Sequence, residues 1–161
     1  MEGVTTMKFC HHIKLSVFVK IDEGEDEAKI RAGLLSLIPF DLVKEKVPLN
    51  IQTAKGFEDH KIRIYEIDLT KDRHIKEFLV SFISHLTEDQ KQLLLRQVES
   101  RLDEENNFFI RLDKNKLQLG VRYIVDHGNC YHTKMSIAAF PTNRENAKTT
   151  VGEILKLEKD K

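Results

Sequence analysis

Residues 13–20 read Ile13-Lys14-Leu15-Ser16-Val17-Phe18-Val19-Lys20, with an aliphatic side chain at every odd position. The even positions carry lysine, serine, phenylalanine and lysine in turn. Because successive side chains of a strand point to opposite faces, this period of two predicts a strand that is buried on one side only. The run therefore predicts a sheet with one face on a core and the other in water.

Further strands and several helices follow along the chain. Alternation predicts strands at 43–51, 60–69, 108–112, 121–125 and 131–140. Apolar residues at helical spacing predict helices that begin in the acidic stretch 23–27 and near Thr70, Thr87 and Asn143, with a short helix at 113–119. The resulting order, β-α-β-β-α-α-β-(short α)-β-β-α, predicts an α+β fold in which helices pack on one face of a mixed or antiparallel sheet of about six strands.

Two local features of the sheet are also expected from the pattern. In the third strand the apolar row changes from Ile62 and Ile64 to the odd positions that start at Tyr65, which predicts a bulge near Tyr65. The turn-forming residues at 126–129 predict a hairpin that joins the last two strands.

The chain has 161 residues, which is the length of one domain. We expect a loose N-terminal segment at 1–12, one α+β domain at 13–157 and a charged tail at 158–161. Uninterrupted apolar runs fall well short of the eighteen or so residues that span a membrane, and residues 1–12 do not resemble a signal peptide, so a cytoplasmic location is expected.

The 26 basic and 26 acidic residues balance, so only the distribution of charge bears on a nucleic-acid partner. If the apolar rows face the helices, the opposite rows present cations and no carboxylate, namely Lys14, Lys20, Lys44, Lys46, Lys61, Arg63, Arg111, Arg122 and Lys134. Such a face, with Phe18, Tyr65 and Phe109 as candidate stacking rings, is suited to RNA phosphates and bases. A face that merely keeps the protein soluble explains the lysines equally well.

The segment 112–120 combines cations with a turn. Lys114 and Lys116 flank a backbone that would approach phosphate, and Gly120 allows close contact. Asp113 is a candidate contact residue too, although it is explained as well by a role as a helix cap.

Two Cys-x-His pairs, Cys10 with His12 and Cys130 with His132, raise the hypothesis of a zinc site if their strands are neighbours. A disulfide between the cysteines and a purely incidental placement are the alternatives. A metal-dependent nuclease would need several converging carboxylates, whereas Asp113 and Asp126 are both explained by turns and caps. We therefore expect no metal, no cofactor and no catalytic residue.

Three segments resemble a known family: the run Asp103–Lys114, the pair Leu119-Gly120, and the run Lys134–Pro141. This archaeal family is described as RNA-binding and as a predicted exosome subunit. The resemblance implies an archaeal cytoplasm and a fold similar to the large-subunit ribosomal protein that binds 5S ribosomal RNA. It also implies RNA contacts by Arg111, Asp113, Lys114 and Gly120, while Phe140 stands where the family pattern has tyrosine.

The function expected from these patterns is non-catalytic RNA binding, as an accessory factor of RNA processing or the exosome. The candidate contact residues are Lys14, Lys20, Lys44, Lys46, Lys61, Arg63, Phe109, Arg111, Asp113, Lys114, Lys116, Gly120, Arg122 and Lys134. The alternative is a protein-interaction module of an RNA-processing or ribosomal complex, for which Phe57, Phe109 and Phe140 would supply a docking patch.

Overall fold

A computed structural model describes residues 8–158, apart from the side chain of residue 57. Its strands are β1 (Cys10–Lys20), β2 (Leu49–Lys55), β3 (Lys61–Leu69), β4 (Asn107–Asp113), β5 (Ile124–Val125) and β6 (Cys130–Ile137). Its helices are α1 (Glu27–Leu35), α2 (Asp72–Ser84), α3 (Glu88–Arg96), α4 (Val98–Arg101), α5 (Lys114–Gln118) and α6 (Arg144–Ile154). Parts of the expected segments 1–12 and 158–161 lie outside the described residues.

The strands form one antiparallel sheet in the spatial order β2-β3-β1-β6-β4-β5. The central strand β1 begins at Cys10, ahead of the predicted start at Ile13, and its odd positions from Ile13 to Val19 are all buried. Leu15 lies opposite Ile67 on β3 and Thr133 on β6, and both of these are buried as well. The predicted fold class, an α+β layer with helices on one sheet face, is confirmed.

Local hydrogen bonds explain where the helices begin. Thr87 and Gln90 form a reciprocal capping box at the start of α3, as the sequence predicts. Asn143 accepts a hydrogen bond from the backbone N–H of Asn146 at the start of α6. On the core side Tyr131 of β6 donates a hydrogen bond of 2.7 Å to the carbonyl of Ile30 in α1, which holds that helix against the sheet.

The predicted bulge near Tyr65 is wrong. β3 pairs without interruption with both neighbours, so that Tyr65 lies opposite Val17 and Arg63 lies opposite Val19. The buried row of Tyr65, Ile67 and Leu69 therefore continues through Arg63 and Lys61 on the helix side. The misleading signal was an aliphatic pair, Ile62 and Ile64, which lies half-buried on the other side of the sheet.

The predicted hairpin between the last two strands is also wrong. β5 pairs with β4, and β4 lies between β5 and β6. The connection at 126–129 therefore crosses the end of β4 rather than turning tightly. It is held there because Arg101 donates a 2.7 Å hydrogen bond to Asp126, and because the N–H of Lys114 donates to the carbonyl of Asn129.

Within residues 8–158, no helix is long and apolar enough to cross a membrane.

Candidate nucleic-acid interface

The side of the sheet opposite the helices is called the open face. Its outward side chains form rows that run across the strands. One row places Lys14 of β1 opposite Lys134 of β6, which in turn lies opposite Phe109 of β4. The next row joins Ser16, His132 and Arg111 in the same way. These two rows bring together residues that lie far apart in the sequence.

The described cations of the open face concentrate on its three central strands. Lys14 and Lys20 come from β1, Lys134 from β6 and Arg111 from β4. Lys14 and Lys134 are direct cross-strand partners, and like charges in that arrangement destabilise a sheet. Lys14 also lies opposite Asp68 of β3, and its ammonium is 3.7 Å from Glu66, so acids of β3 offset the charge of Lys14 but lie on the side away from Lys134.

Aromatic side chains lie among these cations. The Phe18 ring, 45% exposed as a residue, lies 6.2 Å from the ring of His132. The guanidinium carbon of Arg111 lies 5.4 Å from the centre of the Phe109 ring. Stacking on Phe109 orients the Arg111 guanidinium while leaving its N–H groups able to bind phosphate.

Tyr123, which is absent from the contact residues predicted from the sequence, extends the open face toward β5. The N–H of Asp113 donates to the Tyr123 carbonyl at 2.8 Å, which continues the ladder that pairs Arg111 with Val125. Alternation then places the Tyr123 side chain on the same side as Val125, where it is 50% exposed. The ammonium of Lys116 lies 4.5 Å from the centre of its ring. The sequence contained a signal for this, because residues two apart in a strand, such as Tyr123 and Val125, point to the same face.

The expectation that the outward rows lack carboxylates is wrong. Glu66 and Asp68 of β3 lie on the open face, where Glu66 is 3.7 Å from the Lys14 ammonium and Asp68 is 2.7 Å from His12. The sequence carried the signal for this, because a buried row of Tyr65, Ile67 and Leu69 places the even positions between them on the opposite side of the strand. The open face is therefore divided, with Glu66 and Asp68 on β3 and the cations on β1, β6 and β4, while Asp113 at the end of β4 adds one acid on the cationic side.

Arg63 and Lys61 lie on the helix-side row of β3, not on the open face. Arg63 forms a 2.8 Å ion pair with Glu27 at the start of α1, and the Tyr65 hydroxyl donates to the same carboxylate. These hydrogen bonds, from Tyr65 first and then from Arg63, lower the pKa of Glu27. Arg63 therefore ties β3 to α1.

Three other predicted contact residues also lie off the open face. Lys44 and Lys46 belong to a turn at 42–46 before Pro48, because β2 begins only at Leu49. Arg122 points to the helix side, where its guanidinium lies 5.5 Å from the centre of the Phe82 ring. Burial there lowers the pKa of Arg122.

Lys114 is a structural residue with 1% of its surface exposed. Its ammonium donates to the carbonyl of Phe18 at 2.6 Å and forms an ion pair of 3.2 Å with Glu25. Burial lowers the pKa of Lys114, and Glu25 partly opposes that shift. Lys114 is therefore not available for RNA, contrary to the prediction from the family resemblance.

The neighbours of Lys114 have separate roles. Asp113 accepts a hydrogen bond from the N–H of Lys116 and caps α5, so the capping explanation of Asp113 is confirmed. Gly120 follows α5 with a φ of 84°, a conformation that favours glycine. Lys116 alone among these residues presents its charge beside a ring of the open face, that of Tyr123.

His132 lies at the centre of the cationic half of the open face. Burial lowers its pKa, and the positive charges of Arg111 and Lys114 lower it further. The thiol of Cys130 lies 3.7 Å from the His132 ring. His132 is thus neutral near pH 7 in the free protein, and an approaching phosphate would favour its protonated form.

The two Cys-x-His pairs do not converge. β1 and β6 are neighbours, but Cys10 lies opposite Ile137, at the far end of β6 from Cys130. This separation is about 23 Å along the strand, too far for one metal ion or for a disulfide. Both cysteines are free and buried, and burial raises the pKa of Cys10 to about 12. Among residues 8–158, no cluster of three or more His, Cys, Asp or Glu side chains could hold a metal ion.

Comparison with known proteins bears on this divided face. A family model described as RNA binding matches residues 12–140, which include β4, β6 and β1 from His12 onward, with all four open-face cations. The chain belongs to the RNA-binding family. The expected resemblance to an archaeal RNA-binding family is confirmed to that extent.

Two relatives of the chain come from archaea. An RNA-binding protein of Pyrococcus abyssi is 26% identical over 145 residues, which cover 90% of this chain and 93% of the relative. An uncharacterised protein of Methanocaldococcus jannaschii is 28% identical over 136 residues, covering 83% and 89% of the two chains.

Solved structures share the fold. A protein of Archaeoglobus fulgidus with 27% identity superposes with a TM-score of 0.78 over 90% of this chain and 99% of its own. A protein of Methanothermobacter thermautotrophicus with 28% identity gives a TM-score of 0.70 over 92% and 99%. Both are assigned to a family of unknown function in their structural descriptions.

Proposed function

We propose that this protein binds RNA without catalysis, through the open face of β1, β6 and β4. Lys14, Lys134 and Arg111 contact phosphates, and Phe109 orients Arg111. The observation that carries the proposal is the direct cross-strand pairing of Lys14 with Lys134. Family membership and the description of the Pyrococcus relative as RNA-binding support the same function.

The charge distribution favours a polyanion over a small anion. Lys14, Lys134 and Arg111 extend across three neighbouring strands, spaced about 4.8 Å apart, so a ligand that meets all of them must present several negative groups. Each phosphate that is neutralised releases condensed counterions, which makes such binding strongly dependent on salt. The acids Glu66 and Asp68 border the cations on one side and would direct the ligand away from β3.

A salt titration with matched variants tests this proposal. Affinity for fluorescent RNA is measured over a range of salt for the wild type, for Lys14→Gln with Lys134→Gln, and for Lys44→Gln with Lys46→Gln. Both double variants remove equal charge, but only the first removes it from the open face. We expect the open-face variant to lose affinity and to lower the salt slope by about 1.4, that is about 0.7 per phosphate contact. Equal losses in both double variants would show that only net charge matters.

We further propose an accessory role in RNA processing, including the exosome that the family resemblance implies. A protein-interaction module without RNA contact is the second candidate. It is favoured by an apolar hollow of about 630 Å³ beside β2, which Leu35, Phe40 and the 89%-exposed Val43 help to line. Of the predicted docking rings, Phe140 is 97% exposed, Phe109 is half-buried, and the Phe57 side chain lies outside the described structure.

Purification under nuclease treatment separates these roles. An accessory RNA-binding factor should lose its RNA-processing partners when RNA is digested. A complex that survives digestion and depends on Val43, rather than on Lys134, would support the interaction module instead.

A further inference from the structure

Resting on the RNA binding proposed above, we infer that the open face takes single-stranded RNA, with one base stacked on Phe18 and another on Tyr123. Neither ring is needed by the core, because both residues remain about half exposed while the apolar row beneath them is buried. A base has an apolar face that can cover such a ring, and every base offers one.

The two rings lie in the same row of the open face. Ser16 lies opposite His132, so Phe18, two residues further along β1, is level with Cys130 of β6. Cys130 lies opposite Asp113 of β4, and Asp113 is hydrogen-bonded to Tyr123 on its other side. From β1 across β6 and β4 to β5 there are three strand spacings, or about 14 Å. A single strand of RNA that runs across the sheet in this direction, perpendicular to the β-strands, would reach both rings.

Two cations and one histidine, whose protonated form a phosphate would favour, lie along this path, at the places where phosphates would pass. Arg111 and His132 occupy the adjacent row between the rings, and Lys116 lies against Tyr123. Asp113 is the carboxylate on the path, and its charge is engaged by the backbone N–H of Lys116 at the start of α5. The arrangement alternates stacking surfaces with positive charge, as ligands with unpaired bases require.

A duplex would not use these rings. Its bases are stacked on one another, and proteins recognise double-stranded RNA through its phosphates and 2′-hydroxyls. Duplex binding would therefore depend on Lys14, Lys134 and Arg111 and would be indifferent to Phe18 and Tyr123. This difference in dependence distinguishes the two RNA forms.

The test compares an unstructured oligouridylate with a duplex of equal length at one salt concentration. We expect the single strand to bind more tightly. Phe18→Ala and Tyr123→Ala should each weaken its binding by between about fivefold and about 150-fold. The matched control is Phe140→Ala, which removes a ring that is 97% exposed beyond the end of β6. It should leave the affinity unchanged.

Tyrosine fluorescence gives a second measurement that needs no destabilising variant. The chain has three tyrosines and no tryptophan, and Tyr65 and Tyr131 are buried, so Tyr123 is the exposed emitter. Single-stranded RNA should quench it, and Tyr123→Phe should keep the affinity while abolishing the quenching.

The outcomes separate the inference from the function on which it rests. If the wild type binds neither RNA form at low salt, the proposed function fails. The wild type could instead bind RNA through Lys14 and Lys134 but prefer the duplex, or keep its affinity in both ring variants and show no quenching of Tyr123 fluorescence. Either result would leave RNA binding standing and overturn the single-strand inference. If the open face docks a protein instead of RNA, the purified wild type should bind neither oligonucleotide.

Discussion

Lys14 of β1 and Lys134 of β6 lie directly opposite each other at the centre of the open face. Glu66 approaches Lys14 from the β3 side at 3.7 Å, but it does not lie between the two lysines. Opposed like charges weaken a sheet, so this pair trades stability for a positive surface. Asp68 of β3 lies opposite Lys14 on its other side, so the charge of Lys134 is the one that the acids of β3 offset less.

Lys134→Gln should therefore separate stability from binding. Removing one charge of the pair should leave the free energy of unfolding unchanged or raise it by up to about 1 kcal/mol, while RNA affinity falls. Chemical denaturation and fluorescence anisotropy measure the two effects. A substitution that lowers both would show that Lys134 supports the fold.

Lys114→Met and Lys116→Met should have opposite effects on stability and on RNA affinity, although the two residues are only two positions apart in α5. Lys114→Met removes the cation paired with Glu25, and because Glu25 retains some solvent contact and the hydrogen bond from the Lys20 N–H, we expect a loss of about 2–3 kcal/mol of stability. RNA affinity should persist wherever the variant is folded. Lys116→Met should preserve stability and weaken RNA binding, because its ammonium lies beside Tyr123 on the open face. The reverse pattern would restore Lys114 as a contact residue.

Gly33→Ala should destabilise the contact between α1 and the sheet. A Cβ at Gly33 would collide with the hydroxyl end of the buried Tyr131, which is held by its hydrogen bond to Ile30. We expect a net loss of about 1–3 kcal/mol in thermal or chemical unfolding, despite the better helix propensity of alanine. Gly152→Ala in α6 is the control, because open space surrounds that position and the substitution should be neutral or stabilising. Similar effects at both sites would contradict the packing seen at Tyr131.

RNA affinity should rise as the pH falls from about 7.5 to about 5.5, and His132 should cause part of this rise. Its folded pKa is lowered by burial and then by Arg111 and Lys114, so the unfolded chain takes up the proton first and His132 reduces the stability of the free protein in acid. Bound phosphate favours the protonated ring. Binding should therefore be coupled to proton uptake.

His132→Asn should flatten this pH profile, whereas His85→Asn, at the end of α2 on the helix side, should not. Phe18 and Cys130 are the other described neighbours of the His132 ring, and both are uncharged near neutral pH. An unchanged profile in His132→Asn would assign the pH dependence to another group.

The strand pattern was sufficient to predict the layer architecture, because burial of one side imposes a period of two that β1 shows along most of its length. It was insufficient where both sides of a strand carry apolar residues. Ile62 and Ile64 on the open face of β3 resemble a core row, so the sequence predicts the wrong side for the start of the strand. Arg63 was therefore expected on the outward side, whereas it lies on the helix side.

Strand order and side-chain partners were beyond the reach of local patterns. That β4 inserts between β5 and β6 depends on long-range pairing, and so does the row that unites Lys14 with Lys134. Lys114 resembles any surface lysine in the sequence; only the tertiary position of Glu25 and of the Phe18 carbonyl makes it a buried structural cation. The residues on β1, β4 and β6 nevertheless remain candidate contacts after these corrections.

The most direct test of an RNA-binding open face is photochemical crosslinking of the wild-type protein to uridine-rich RNA, followed by mass spectrometry of the crosslinked peptides. We predict crosslinks in β1, β4 and β6 and at the segment that contains Lys116 and Tyr123. Crosslinks confined to the helices or to the turn at 42–46, with none on the open face, would contradict this assignment.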